Sequence, residues 1–184
     1  MWIAIAVVAI IILYIIALYN GLVSRRVQAR EAWSTIDTQL KRRYDLIPNL
    51  VNAVKGAAKH ERETLDAVIK ARNSAMSATG TEKRAAAENK LTGALKSIFA
   101  LSESYPTLRA NENFLELQQE IADTETKVQA ARQFYNTVVM ALNTSIQQFP
   151  SSIIANLFKI TPEKFFELDD GEKAAVKKAP KVEF

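Results

Sequence analysis

Few residues in this chain have the types and spacing that chemistry requires. The single histidine, His60, is followed by Glu61, but no second histidine stands four residues on, so the pair lacks the geometry of a metalloprotease helix. His60 reads instead as a solvent-facing helix residue. There is no cysteine, which removes thiol nucleophiles, thiolate metal sites and disulfides. The sequence contains no Gly-x-Ser-x-Gly elbow, no phosphate-binding glycine loop and no dinucleotide fingerprint. The carboxylates Glu112, Glu116, Glu120, Asp123 and Glu125 lack the Glu-x-x-His partners of a di-iron bundle. They read as a solvated helix face with Lys and Arg nearby. No catalytic residue, no metal ligand set and no cofactor is expected.

One constellation is less bland. Arg43 stands on an otherwise apolar helical stripe, beside Asp45, Pro48 and Asn49. Further along, Gln118, Glu125 and Arg132 recur at intervals of seven, on one side of a helix. A buried charge needs a partner. The expectation is a buried polar cluster drawn from Arg43, Asp45, Asn49, Gln118, Glu125 and Arg132, in which Arg43 or Arg132 pairs with a carboxylate across the bundle and fixes its register. The alternative is that these long side chains snorkel to the surface.

The elements that would carry these residues are all helices. Trp33, Ile36, Leu40, Ile47, Leu50, Val54 and Ala57 follow one another by threes and fours, with Arg43 as the one interruption. That stripe loses register near Glu61 and resumes at Leu65, Val68 and Ile69, so the first soluble segment is placed at 21–78. Pro48 falls inside it and predicts a kink in one long helix, since proline lacks the donor for its turn. Gly80 marks a loop and Thr81 a cap, followed by a second helix to about Ser104 that Pro106 ends. A third helix from Phe114 carries five heptads through Leu117, Ile121, Thr124, Val128, Ala131, Tyr135, Val138, Leu142, Ser145 and Phe149. Leu115, Phe134, Val139 and Ile146 widen that stripe, which suits a packed bundle better than an isolated coiled coil. Ser151 to Phe158 reads as a short helix, and Thr161-Pro162-Glu163 as the start of another turn carrying Phe165 and Phe166. The expected fold is all-α: a transmembrane helix, an antiparallel bundle of three long helices, and a short C-terminal helical segment.

The N-terminal run sets where this bundle works. From Trp2 to Tyr19 there is no charged residue. Roughly 18 helical residues span about 27 Å, close to the hydrocarbon thickness of a bilayer. A cleaved signal peptide would want a basic leader and a small-x-small site, and neither is present, so an uncleaved anchor is expected. Trp2 and Tyr19 suit the two membrane interfaces. Arg25, Arg26 and Arg30 follow the run, which predicts an N-terminus outside and a helical domain in the cytoplasm. The domain reading is 1–21 anchor, 22–168 helical bundle and 169–184 disordered tail. The formal net charge is +4, but basic and acidic residues are interleaved, so nucleic acid is not an expected partner.

The residues themselves resemble a known family. Ala32-Trp33, Ile36-Asp37, Gln39-Leu40-Lys41-Arg42-Arg43, Asp45-Leu46-Ile47-Pro48-Asn49-Leu50-Val51, Val54-Lys55-Gly56 and His60-Glu61 resemble the LemA family. So do Tyr19-Asn20, Tyr105-Pro106, Leu117-Gln118, Thr124-Glu125, Arg132 with Tyr135-Asn136, and Phe149-Pro150. The resemblance implies a bacterial single-pass membrane protein with a helical-bundle domain. It supplies no enzyme activity, and through a member that takes part in magnetosome membrane formation it leans toward membrane organisation. The expected function is a non-enzymatic, self-associating scaffold of the cell membrane. The expected partners are the lipid bilayer, further copies of the chain and, as a second candidate, another membrane protein. The alternatives are a regulator of a membrane enzyme such as a protease, and a lipid-surface binder using Arg25, Arg26, Arg30 and the Ile153 to Phe166 segment.

Overall fold

The computed structural model describes residues 1–58 and 60–166. The expected disordered tail, 169–184, lies outside the described residues. Among the described residues every regular element is a helix: α1 Trp2–Ala57, α2 Arg62–Ser77, α3 Thr81–Glu103, α4 Pro106–Arg109, α5 Glu112–Gln147 and α6 Ser151–Leu157. The fold is all-α. Asn20 and Gly21 do not break α1, which passes from the apolar run into the first soluble stripe without interruption.

The chain falls into two compact units, one of Met1–Asp37 with Ala130–Phe165, the other of Thr38–Gln129 with Phe166. In the second unit the core is a set of stripes facing inward. Leu40, Ile47, Leu50 and Val54 come from α1, Leu65, Val68 and Ala75 from α2, Leu91, Leu95 and Ile98 from α3, and Phe114, Ile121 and Val128 from α5. Leu108 of α4 and Phe166 complete it. Each buried leucine, isoleucine or phenylalanine contributes about 1.5–3 kcal/mol relative to exposure.

Two expectations are corrected here. The first soluble segment is two helices, with a turn after Ala57 and α2 doubling back, so that Arg72 reaches the backbone of Tyr44. Periodicity shows this turn only as the interruption of the apolar stripe near Glu61. Val54, Ala58, Glu61, Leu65, Val68, Arg72 and Ala75 keep threes and fours across it, because both helices face the same core. What sets the turn apart is the charge of Glu61 on the stripe and Gly56, a poor helix former, one residue before α1 ends. Thr81 is also not a cap. Gly80 holds that position at φ +83, left-handed backbone that costs glycine nothing, and Thr81 is the first helical residue.

Pro48 lies inside α1, and the helix continues through it. A proline at this position cannot donate to the carbonyl of Tyr44, four residues back. Arg72 Nε donates to that carbonyl instead, at 2.8 Å. The bond missing from α1 is thus made by α2.

In the first unit, Leu22, Ala29, Ala32 and Ile36 of α1 are buried, as are Ala131, Tyr135, Val139 and Leu142 of α5. The Trp33 and Tyr135 rings meet edge to face with centroids 5.3 Å apart. The heptad positions of α5 are largely inside, but Leu117 and Val138 are half-buried and Phe149 is exposed. Its two polar members are satisfied within their own helix: Thr124 Oγ1 donates to Ile121 O and Ser145 Oγ to Ala141 O, each at 2.8 Å.

The helical turn expected at Thr161 to Phe166 does not form; residues 161–166 carry no regular structure. Side chains of α5 occupy that backbone. Tyr135 donates its hydroxyl to Lys164 O at 2.9 Å. Asn143 Nδ2 donates to Glu163 O at 2.9 Å and its Oδ1 accepts from Glu163 N at 3.0 Å. These bonds hold a path that is not helical.

Candidate functional site

The best-formed polar constellation lies inside the second unit. Arg43 occupies the one charged position of the α1 stripe and is 2% exposed; Glu88 of α3 is 4% and Glu125 of α5 is 34% exposed. Arg43 Nη1 lies 3.4 Å from Glu88 Oε2, and Nη2 lies 3.5 Å from Glu125 Oε2. Nη2 also donates to Thr92 Oγ1 at 2.9 Å. Tyr44 donates its hydroxyl to the other Glu88 oxygen, Oε1. One guanidinium therefore ties α1 to α3 and α5, and one carboxylate receives two consecutive residues of α1.

Burial and the bond to Glu88 push the Tyr44 hydroxyl well above the ordinary tyrosine range, the Glu88 charge adding to it and Arg84 and Arg43 opposing it. Tyr105 is shifted the same way, first by donating to Glu61 Oε1 at 3.1 Å. Tyr135 is pushed up to about 12, by burial and by the charge of Glu163.

Of the residues the sequence placed in a polar cluster, the structure brings Arg43 and Glu125 together. Asp45 and Asn49 do not join them. They stand two and six residues beyond Arg43, about 200° and 240° around the helix, and both are exposed. Gln118 and Arg132 are half-buried on α5; Gln118 lies in the second unit and Arg132 in the first. Glu88, Thr92 and Tyr44 were not singled out. The signal for Glu88 was present: Glu88, Leu91, Leu95, Ile98 and Ser102 form a buried stripe by threes and fours with one acid in it, matching the one base on α1. Two clefts open on this unit, of about 490 Å³ around Lys55, Arg62 and Asp66 and about 370 Å³ around His60, Glu61 and Glu63. Neither is lined by Arg43, Asp45, Asn49 or Glu125. His60 is exposed at the turn between α1 and α2, not on a helix. Among the described residues no group of His, Cys, Asp or Glu is arranged to hold a metal ion.

The residues expected at the membrane interface lie in the first unit. α1 is long and apolar enough to cross a membrane, and none of its most apolar stretch is buried. That separates it from the core helix of a soluble protein. Trp2 is exposed at its start. Tyr19 is half-buried, its ring 4.5 Å from that of Phe158. Arg25, Arg26 and Arg30 are all exposed on the turns that follow.

The class these features define is a helical bundle with a buried ion pair, in a chain whose first helix is exposed and apolar over a length that could cross a membrane. The LemA family model matches residues 32–184, and the chain belongs to the LemA family. Over 162 residues it is 26% identical to Protein LemA of Metamycoplasma hominis, a match covering 85% of this chain and 72% of that protein.

Proposed function

We propose that this LemA-family chain is a membrane-anchored assembly protein of the bacterial cell membrane that catalyses no reaction and acts by associating with copies of itself. The observation that carries this is how the Arg43 constellation is spent. Both terminal nitrogens of the guanidinium, and both oxygens of Glu88, are taken up by other side chains of the same unit. Charges held in this way fix register and are not free to meet a substrate.

The heptad stripe of α5 is spent too, since Phe114, Ile121, Val128, Ala131, Tyr135 and Leu142 are all buried within the chain. Association therefore falls to the apolar stretch of α1, whose residues 2–17 are all exposed. With Arg25, Arg26 and Arg30 at its far end, the helix sits with the bundle in the cytoplasm and Met1 outside.

Because the chain has no cysteine, Ser24→Cys gives one thiol beside the arginines. In intact cells a membrane-impermeant thiol reagent is expected to leave it unlabelled and to label it once the cells are opened. Labelling in intact cells contradicts the orientation. Release of the full chain from membranes by alkaline carbonate contradicts the anchor.

A further inference from the structure

We propose that the angle between α6 and α1 binds the phosphate of an anionic phospholipid, with the outer face of α6 lying in the membrane interface. The proposal rests on α1 being a membrane anchor and goes beyond it by assigning a lipid site to the domain itself.

Depth comes first. Ile154, Ala155 and Ile160 pack on Leu22, with Leu18 and Tyr19 against the same cluster. Leu22 is three residues past the end of the apolar run, about 4.5 Å of rise. The polar interface on each side of a bilayer is roughly 5–7 Å deep. α6 is therefore held at headgroup level by contacts within its own unit.

Its other side is unpartnered and apolar. Ile153 and Leu157, four apart on α6, are 57% and 70% exposed, and Phe149, just before the helix begins, is 82% exposed. Facing water, such a run is a liability; beside a membrane anchor, lipid covers it. Continuity with the anchor names the occupant.

Charge and shape complete the site. A cleft of about 280 Å³ is lined by Tyr19, Val23, Arg26, Arg30, Phe158 and Ile160. Arg26 and Arg30 stand one turn apart on the same helix face, both exposed, and guanidinium forks match phosphate oxygens bidentately. The Tyr19 and Phe158 rings supply an amphipathic wall for the glycerol and the first methylenes of a lipid.

The test uses the full chain in vesicles, with Leu157→Cys carrying an environment-sensitive fluorophore. With phosphatidylglycerol present, the emission is expected to move to the blue and to be quenched by lipids brominated near the headgroup. In phosphatidylcholine alone the shift is weaker. Arg26→Gln with Arg30→Gln is expected to raise by about tenfold or more the phosphatidylglycerol needed for half the shift. A label that stays aqueous in both lipids overturns the proposal while the chain still floats with the vesicles. So does a shift unaltered by the two Gln substitutions, or one that follows protein density instead of lipid charge, which is contact between copies. A response abolished by dissolved glycerol phosphate assigns the cleft to a free phosphate and overturns the lipid. A chain that does not float with vesicles overturns this proposal and the anchor together.

Discussion

Arg72 supplies from α2 the hydrogen bond that Pro48 removes from α1. Its Nε donates at 2.8 Å to the Tyr44 carbonyl, the acceptor that an ordinary residue at position 48 would have used. The proline creates a docking point where a plain helix would have none. Arg72→Ala is expected to cost roughly 1.5–3 kcal/mol in the natural chain, as loss of a charged hydrogen bond to a part-buried acceptor. In a Pro48→Ala background the helix remakes its own bond, and the same substitution is expected to cost about 1 kcal/mol less or better. Denaturant unfolding of the four proteins measures the coupling. Strictly additive effects would show that the two residues are independent.

Removing one partner of the buried ion pair leaves the other without compensation. Arg43→Ala is expected to destabilise the fold by about 3–5 kcal/mol. Replacing the group together, with Arg43→Met, Glu88→Met and Tyr44→Phe, is expected to cost less than either single charge removal, because the fully buried charges and the Tyr44 hydroxyl go together and the partners left behind, Glu125 and Thr92, are only part-buried. Thermal unfolding of the single and combined variants checks this. A combined variant that is the least stable would mean that the cluster contributes net stability as well as register.

Much of this fold was legible in the residues, and the exceptions have physical causes. Stripes by threes and fours report which face is buried, so α3 and α5 were readable to within a few residues. The same signal is silent on whether a helix turns back. Val54 and Leu65 keep phase across the turn after Ala57 because both face one core. Arg43 was legible as a charge on an apolar stripe. Its partner Glu88 was masked by Ala87 and Leu91 on either side, which suggest a stripe shifted by one residue. Asp45 and Asn49 were drawn in by nearness in sequence, which on a helix places them on the opposite face. The path of residues 161–166 depends on Tyr135 and Asn143 reaching their backbone from α5, and no local pattern carries that information.

Alkaline pH should weaken the protein. Tyr135 is held neutral to about 12 against an ordinary 10.0, and Tyr44 is raised as well. Above the ordinary value the unfolded chain has released these protons while the folded chain keeps them. Stability is therefore intact below pH 10 and falls as pH rises from there through the folded values. Tyr135→Phe is expected to lower neutral stability by about 1 kcal/mol through its lost bond to Lys164 and to flatten part of the alkaline slope. Melting temperature against pH shows both. An unchanged slope would mean that Tyr135 ionises equally in the folded and unfolded states.

Two adjacent phenylalanines should behave oppositely. Phe166 is 1% exposed and Phe165 is 42% exposed. Phe166→Ala is expected to cost about 3–5 kcal/mol, and Phe165→Ala less than about 1 kcal/mol. Denaturant midpoints of the two variants separate them. Equal effects would place Phe166 outside the core.

The central claim, that the chain assembles in the membrane through its exposed apolar helix, is tested most directly by the mass of the full-length protein in mild detergent, corrected for bound detergent by light scattering. The account predicts a defined multiple of the 20.5 kDa chain. A protein mass of one chain at every concentration would contradict it.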